Sequence, residues 1–263
     1  MSDNGRPKGC GRGPPRMLNG ARLRFAKACR TSILRENVNL ETETLRMFDA
    51  ANARRLMVEG QVRTADVTDA NLLDAMATLP RERFLPATLA PLAYLDSDIP
   101  IGKGRALLKP MVLAKLVQAA RVRREDRVLD VGCGTGYSSA VLARLAGAVV
   151  ALEEDAEFAR QAKEALAAVG AAAVEVAVGP LAAGWPAGAP YDVILLNGAT
   201  EIAPDALGRQ LKPQGRLVGI HGRSPAAKAM IYYLTEGRMI GRPIFDAAAR
   251  VLPGFAAPPA FVF

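Results

Sequence analysis

The chain has 263 residues, half of them hydrophobic, and a formal net charge of +8. This length suits one large globular domain with an appendage. No stretch is apolar over the ~18 residues of a membrane-spanning helix, and no signal-like apolar core is present, so we expect a cytoplasmic protein outside the membrane. Cys10, Cys29 and Cys133 form no disulfide or ligand pattern and His221 is the one histidine, so we expect no metal site.

The positive charge is concentrated near the start of the chain. About nine Lys and Arg stand before Asn39 against Asp3 and Glu36, which leaves the later residues close to neutral, at about +1. Residues 1–46 are rich in Gly, Pro and Arg, and we predict that they form a disordered tail. The tail is either a basic arm for a nucleic acid or acidic partner, or a dispensable extension. It lacks a run of interleaved aromatic residues, so we favour the extension and expect no nucleic-acid partner.

Residues 47–126 are predicted to form an N-terminal helical cap, because their apolar residues recur at helical spacing. Gly60 is expected to end the first helix, and Asp69 is expected to cap the second through side-chain hydrogen bonds. The predicted helical segments are residues 48–58, 69–80, 81–91 and 109–121.

Residues 127–263 show alternating strand and helix patterns. Repeated β–α units of this length predict an α/β, Rossmann-like fold, in which helices cover both faces of a doubly wound, mostly parallel sheet. We expect the extension Pro253–Phe263 to pack along the surface. The predicted strands are residues 128–131, 149–152, 174–178, 193–196, 216–220, 229–235 and 238–245, and the predicted helices are residues 138–145, 155–169 and one ending at 207–211.

A glycine-rich loop separates the first of these strands from its helix. Glycines there let the backbone approach a ligand closely. The spacing of Gly132, Gly134 and Gly136 differs from the dinucleotide fingerprint G-x-G-x-x-G, because Tyr137 stands where its third glycine would be. We expect this loop to wrap the amino-acid end of a ligand, with Asp130 reaching the ligand's ammonium group directly or through water.

A second acid stands at the end of the next strand, about 17 residues after the loop. The two carboxylate oxygens of Glu153 match the vicinal hydroxyls of an adenosine ribose. Asp130, the three glycines and Glu153 together resemble the S-adenosylmethionine site of class I methyltransferases. Their predicted role is cofactor binding.

Longer stretches resemble the protein-L-isoaspartate O-methyltransferase family, over roughly 200 residues in collinear order. The resemblance implies a class I methyltransferase that uses S-adenosylmethionine to methylate isoaspartyl carboxylates in protein or peptide substrates, and we expect a monomer. Such a carboxylate is ionised at neutral pH and is itself the nucleophile, so no catalytic base is assigned. The matching stretches are Leu73–Pro86, Ala93–Gly102, Gly184–Pro186, Ala189–Ile194 and Gln210–Val218.

Three places depart from the family pattern. Leu108-Lys109-Pro110 stands where the family has Ser-Gln-Pro, whose serine positions the substrate. Gly179-Pro180-Leu181 replaces Gly-Asp-Gly, whose acid binds adenine, and Asn197-Gly198-Ala199 replaces Thr-Ala-Ala. We predict methylation of L-isoaspartyl residues. The alternatives are a different acceptor held by Lys109 and Asn197, or a binding module with weak or no cofactor affinity.

Overall fold

The computed structural model describes residues 49–258. The predicted disordered tail, residues 1–46, lies outside this range, as does the end of the predicted C-terminal extension. The helices are α1 (Ala50–Met57), α2 (Ala70–Thr78), α3 (Pro110–Ala120), α4 (Tyr137–Leu145), α5 (Ala156–Ala168) and α6 (Asp205–Gly208). The strands are β1 (Ile99–Gly102), β2 (Arg105–Leu107), β3 (Arg127–Val131), β4 (Ala148–Glu153), β5 (Glu175–Val178), β6 (Tyr191–Thr200), β7 (Leu211–His221), β8 (Lys228–Thr235) and β9 (Arg238–Asp246).

The first helical segment continues beyond Gly60, so the prediction that this glycine ends it is wrong. After α1 the chain forms one π-helical turn at Val58–Val62 and a 3₁₀ turn at Arg63–Ala65. Val58 and Val62 are buried on both sides of the glycine. A glycine inside a helix costs only about 1 kcal/mol, which this apolar packing outweighs.

Helix α2 begins where the sequence predicts. The Asp69 side chain accepts hydrogen bonds from the backbone N–H groups of Asn71 (3.0 Å) and Leu72 (3.1 Å), which would otherwise have no partner within the helix. The chain leaves helical geometry at Leu79, before Pro80, as proline requires of its predecessor.

A β-hairpin lies within the region predicted to be helical. Strands β1 and β2 pair antiparallel, and Lys103 and Gly104 connect them with φ angles of 48° and 72°. Positive φ at both turn positions is the geometry of a tight two-residue hairpin. With strands of only four and three residues, the sequence carries no apolar alternation long enough to predict this hairpin.

The main sheet has seven strands in the order β5-β4-β3-β6-β7-β8-β9. Strands β3 to β7 run parallel, and β8 and β9 complete the sheet antiparallel. The chain moves outward from β3 to β5 and then returns to the other side of β3 with β6, so the strand order reverses between β3 and β6. This arrangement confirms the predicted doubly wound, mostly parallel α/β fold.

The described part of the C-terminal extension, residues 253–258, is exposed except at Phe255, so it lies along the surface as predicted and is held by one buried ring. Leu252 and Phe255 are both buried in the core cluster that contains β3 and β6 residues. Ala199, at the end of β6, accepts a hydrogen bond from Leu252 N (2.8 Å) and donates one to Arg250 O (2.9 Å). The segment just before the extension therefore satisfies backbone groups at the end of β6, and Leu252 and Phe255 bury apolar side chains there.

The residues between 49 and 258 include no helix with the length and apolar character that crossing a membrane requires.

Replacing Asp69 with Ala removes the cap of α2, and we expect the free energy of unfolding to fall by about 1 kcal/mol. Urea denaturation followed by circular dichroism measures this change. Asp74→Ala on the exposed face of the same helix is the control, with an expected change below about 0.5 kcal/mol. Equal losses in the two variants would contradict the capping role.

Candidate functional site

The carboxyl ends of β3, β4 and β6 meet at one edge of the sheet. Ligands of open α/β sheets bind outside this edge, where the strand order reverses. The glycine-rich loop follows β3, Glu153 ends β4, and Asn197 lies in the last part of β6. Three of the sequence-derived features therefore converge on the position that the topology favours.

The loop and the second acid are in direct contact. Gly134 N donates a 2.8 Å hydrogen bond to Glu153 Oε2. Gly132 has a φ of 77°, which a residue with a side chain adopts only with strain. Gly136 serves a different purpose, because a Cβ placed on it would lie 3.2 Å from Ala162 Cβ on α5. Its lack of a side chain permits close packing of the loop against that helix.

Glu153 is fully buried, and the protein donates hydrogen bonds to both oxygens of its carboxylate. Besides the loop amide, the backbone N–H groups of Glu154 (2.9 Å) and Asp155 (3.3 Å) donate to Oε1. The fourth donor is Arg105 Nη1, at 2.7 Å from the same oxygen. Oε1 thus accepts three hydrogen bonds and Oε2 accepts one, so a further donor could be accepted only at Oε2 unless one of the three leaves Oε1.

Arg105 was not among the residues predicted from the sequence. It begins β2 and is nearly buried, and its Nη2 also donates to Gly132 O at 2.7 Å. The guanidinium thus connects the second acid to the loop. No sequence signal would have found it, because its position depends on a hairpin that brings residues 48 positions apart into contact.

Three side chains cover Gly132. A Cβ placed on this glycine would lie 2.9 Å from Arg105 Nη2, 2.9 Å from Leu252 Cδ2 and 3.5 Å from Leu181 Cδ1. Ile101 covers the next glycine similarly, at 3.1 Å from a Cβ placed on Gly134. Side chains from the hairpin, from the loop after β5 and from the C-terminal segment therefore fill the space above the glycine-rich loop.

Asp130 is also fully buried, but its partners are neutral. The hydroxyls of Ser138 and Ser139 on α4 both donate to Oδ2 at 2.6 Å, and Asn197 Nδ2 donates to Ser138 Oγ at 2.8 Å. Oδ1 has no hydrogen-bond partner among residues 49–258. Burial raises the pKa of Asp130 to about 6, and the charge of Glu153 contributes, while the two serine hydroxyls and Arg105 oppose the shift.

Comparison with protein families gives one match that spans most of the described chain. The model of the family "Protein-L-isoaspartate(D-aspartate) O-methyltransferase" matches residues 52–231. The chain belongs to this family.

Individual relatives agree with the family match. The protein-L-isoaspartate O-methyltransferase of Methylorubrum extorquens (strain PA1) is 43% identical over 190 residues, which are 72% of this chain and 82% of the relative. The enzyme of that name from Methanoculleus marisnigri is 38% identical over 191 residues, covering 73% of this chain and 87% of the relative.

Solved structures support the fold. A structure of a protein-L-isoaspartate O-methyltransferase superposes with a TM-score of 0.67 at 23% identity, covering 76% of this chain and 66% of that one. A Plasmodium falciparum structure described as a protein-L-isoaspartate O-methyltransferase in complex with S-adenosyl-L-homocysteine gives a TM-score of 0.66 at 17% identity, covering 76% of this chain and 97% of that one.

The family's cofactor, S-adenosylmethionine, fits the hydrogen-bond acceptors of this edge but not its free space. Glu153 has the chemistry to accept hydrogen bonds from a ribose, and the buried, unpartnered Oδ1 of Asp130 is an acceptor for an ammonium group. The place beside Gly132 is taken by protein side chains, and Glu153 Oε1 already accepts three hydrogen bonds. Cofactor binding at this edge therefore requires some of these side chains to move.

The residues that depart from the family pattern are built into this edge. Leu108 is buried, and its carbonyl oxygen accepts a 2.6 Å hydrogen bond from the buried guanidinium of Arg81, which also lies 4.7 Å from the Tyr137 ring centroid. Leu181 is fully buried in the core cluster beside Leu252. Leu108 and Leu181 are therefore accommodated by packing, whereas Pro180 is exposed.

The raised pKa of Asp130 makes stability depend on pH. The folded state binds the proton more tightly than the unfolded chain, whose ordinary value is 3.8. The contribution of Asp130 is therefore full below about pH 4 and is lost as pH rises through about 6, a difference of about 3 kcal/mol. We expect Asp130→Asn to gain about this much relative to wild type between pH 4 and pH 7, measured by urea denaturation.

Asp155 is the control for this experiment, because its pKa is shifted in the opposite direction and its contribution to stability depends on pH in the opposite way. The hydrogen bond from Lys103 lowers the pKa of Asp155, so that side chain contributes stability that is lost as pH falls below about 4. Asp155→Asn should be less stable than wild type at neutral pH, and this difference should disappear at low pH, where Asp155 of the wild type is protonated. A constant difference between Asp130→Asn and wild type from pH 4 to pH 7 would contradict the assignment of a pKa of about 6 to Asp130.

Proposed function

We propose that the protein is an S-adenosylmethionine-dependent O-methyltransferase that methylates the carboxylate of L-isoaspartyl residues in proteins. The observation that carries the proposal is the contact between the glycine-rich loop and Glu153 at the carboxyl edge of β3 and β4. The acceptor groups at this edge match the hydrogen-bond donors of the cofactor's amino-acid and ribose parts. Membership in the family, with relatives of that name about 40% identical, supports the substrate.

Five residues are proposed to bind the cofactor. Glu153 would accept hydrogen bonds from the two ribose hydroxyls, and Asp130 Oδ1 would accept one from the ammonium group. Gly132 and Gly134 would allow close approach of the backbone, and Gly136 would hold the loop against α5. The bound cofactor supplies a methyl group on a positively charged sulfur.

The protein's part in the reaction is positioning rather than proton transfer. An isoaspartyl carboxylate is ionised at neutral pH and attacks the methyl group directly, so the site needs to align it and exclude water. Lys109, at the start of α3, is proposed to attract this carboxylate in place of the family's serine hydroxyl. Its backbone N is fixed by a 2.8 Å hydrogen bond to Asp98 Oδ1.

We also propose the division of the chain into three parts that the sequence predicts. Residues 127–263 would form the cofactor-binding domain, 47–126 its N-terminal region and 1–46 a tail. We also propose a monomer in the cytoplasm. No nucleic-acid partner is proposed, because the chain after residue 38 has a formal charge of only about +1.

Transfer of a labelled methyl group to an isoaspartyl peptide tests the function, with the matching aspartyl peptide as control. We expect label on the isoaspartyl peptide alone, since the cleft must align one carboxylate geometry with the methyl group. Cofactor binding without transfer to either peptide would mean that the acceptor is different. Absence of binding would favour the non-catalytic alternative.

Replacing Glu153 with Gln tests the ribose assignment while preserving side-chain shape. The amide has one acceptor oxygen in place of two, so we expect the dissociation constant of S-adenosyl-L-homocysteine to rise about 10- to 100-fold in calorimetric titration. The neighbouring exposed acid, as Glu154→Gln, is the control and should bind like wild type. If the control loses affinity and Glu153→Gln does not, the ribose acid is Glu154.

A further inference from the structure

We propose that the protein closes its own cofactor cleft, and that Arg105 and Leu252 are the two side chains that must leave before the cofactor enters. The proposal rests on the proposed function, because it takes S-adenosylmethionine as the ligand. It concerns a different property of the site, namely the conformation of the chain without cofactor.

Arg105 occupies the position that the ribose would need. Its guanidinium donates to Glu153 Oε1 and to Gly132 O, each at 2.7 Å. Because Oε1 already accepts three hydrogen bonds, two ribose hydroxyls can bind one to each carboxylate oxygen only if a donor leaves Oε1. The other three donors are backbone N–H groups fixed by the loop and by the start of α5. Arg105 is the one donor that can leave by side-chain rotation.

Arg105 also stabilises the buried carboxylate of Glu153 when the cofactor is absent. A buried carboxylate without a charged or strongly hydrogen-bonding partner is costly, and the guanidinium supplies two parallel N–H groups for this edge. Arg105 thus donates to Glu153 the hydrogen bond that a ribose hydroxyl would donate in the complex with the cofactor. The guanidinium and the cofactor would alternate at Glu153, and the carboxylate would keep a partner in both states.

Leu252 closes the cleft from the opposite side. Its Cδ2 would lie 2.9 Å from a Cβ on Gly132 and 2.7 Å from a Cβ on Gly198, so it fits between the ends of β3 and β6 only because both residues are glycines. This is the crevice at which the strand order reverses. The side chain therefore lies in the space where the fold binds its ligands.

The segment that carries Leu252 is attached by few hydrogen bonds. Leu252 N and Arg250 O bond to Ala199, and Phe255 O accepts from Glu201 N at 2.8 Å. Ala257 N donates to the Glu201 side chain. The segment forms no strand of the sheet beyond the single bridge of Val251 to Ala199, so its release leaves all seven strands paired.

Closure lowers the apparent affinity for the cofactor by the fraction of molecules in the open state. Weakening the closed state must then tighten binding. This direction is diagnostic, because a residue that merely supports the site weakens binding when it is removed.

Calorimetric titration of S-adenosyl-L-homocysteine into the full chain and its variants tests the proposal. We expect Arg105→Ala and Leu252→Ala each to lower the dissociation constant at least tenfold. Arg216→Ala is the matched control, because Arg216 pairs with the buried carboxylate of Asp126 at 2.7 Å but lies at the opposite, amino end of β3. Its dissociation constant should equal that of wild type.

Hydrogen exchange gives a readout that does not depend on affinity. In wild type, saturating S-adenosyl-L-homocysteine should accelerate exchange of the amides of Ala199 and Leu252, since the bonds from Ala199 N to Arg250 O and from Leu252 N to Ala199 O break when the segment leaves. Slower or unchanged exchange of both amides in the saturated protein would overturn the proposal. The measurement remains decisive if Leu252→Ala fails to fold.

The outcomes separate this proposal from the proposed function. Wild-type binding with equal or weaker binding by Arg105→Ala overturns self-closure and leaves the methyltransferase intact. Tighter binding by that variant, with no methyl transfer to the isoaspartyl peptide by either protein, supports self-closure and overturns the proposed reaction. Absence of binding by wild type and every variant overturns both.

Discussion

Burial of the Glu153 carboxylate is the constraint around which the functional edge is organised. A charge removed from water needs hydrogen-bond donors, and they come here from the glycine-rich loop, from the start of α5 and from Arg105 of β2. The donors belong to three separate segments, so the carboxylate fixes the relative positions of those segments. The hairpin, which has only a few residues per strand, is held over the sheet in part by this one ion pair.

The two buried acids of this edge are held in different ways, and the difference suits two different ligand groups. Asp130 is surrounded by hydroxyl donors and no cation bonds to it, so burial raises its pKa to about 6 and one oxygen is left without a partner. Glu153 has a guanidinium and three N–H groups. A ligand ammonium would compensate the first acid, whereas neutral hydroxyls would replace a donor at the second. These two acids are the points at which the proposed site would hold the ammonium and the ribose of the cofactor.

The sequence predicts those features whose causes are local. Alternating strands and helices, the cap at Asp69 and the loop-acid pair follow from neighbouring residues, and the structure reproduces the first two and brings the loop and acid into contact. Arg105 and Phe255 were missed because their environments depend on residues far along the chain. Gly60 was misjudged for the same reason, since burial of the residues around it overrides the low helix propensity of glycine.

The departures from the family pattern form a mutually consistent set. The family pattern has alanine where this chain has Gly198, and a Cβ there would lie 2.7 Å from Leu252, so the present course of the C-terminal segment is incompatible with that alanine. Leu181 replaces a glycine and packs against the same core cluster as Leu252. Gly198 leaves the space that the larger Leu252 side chain fills, so the two positions are sterically matched.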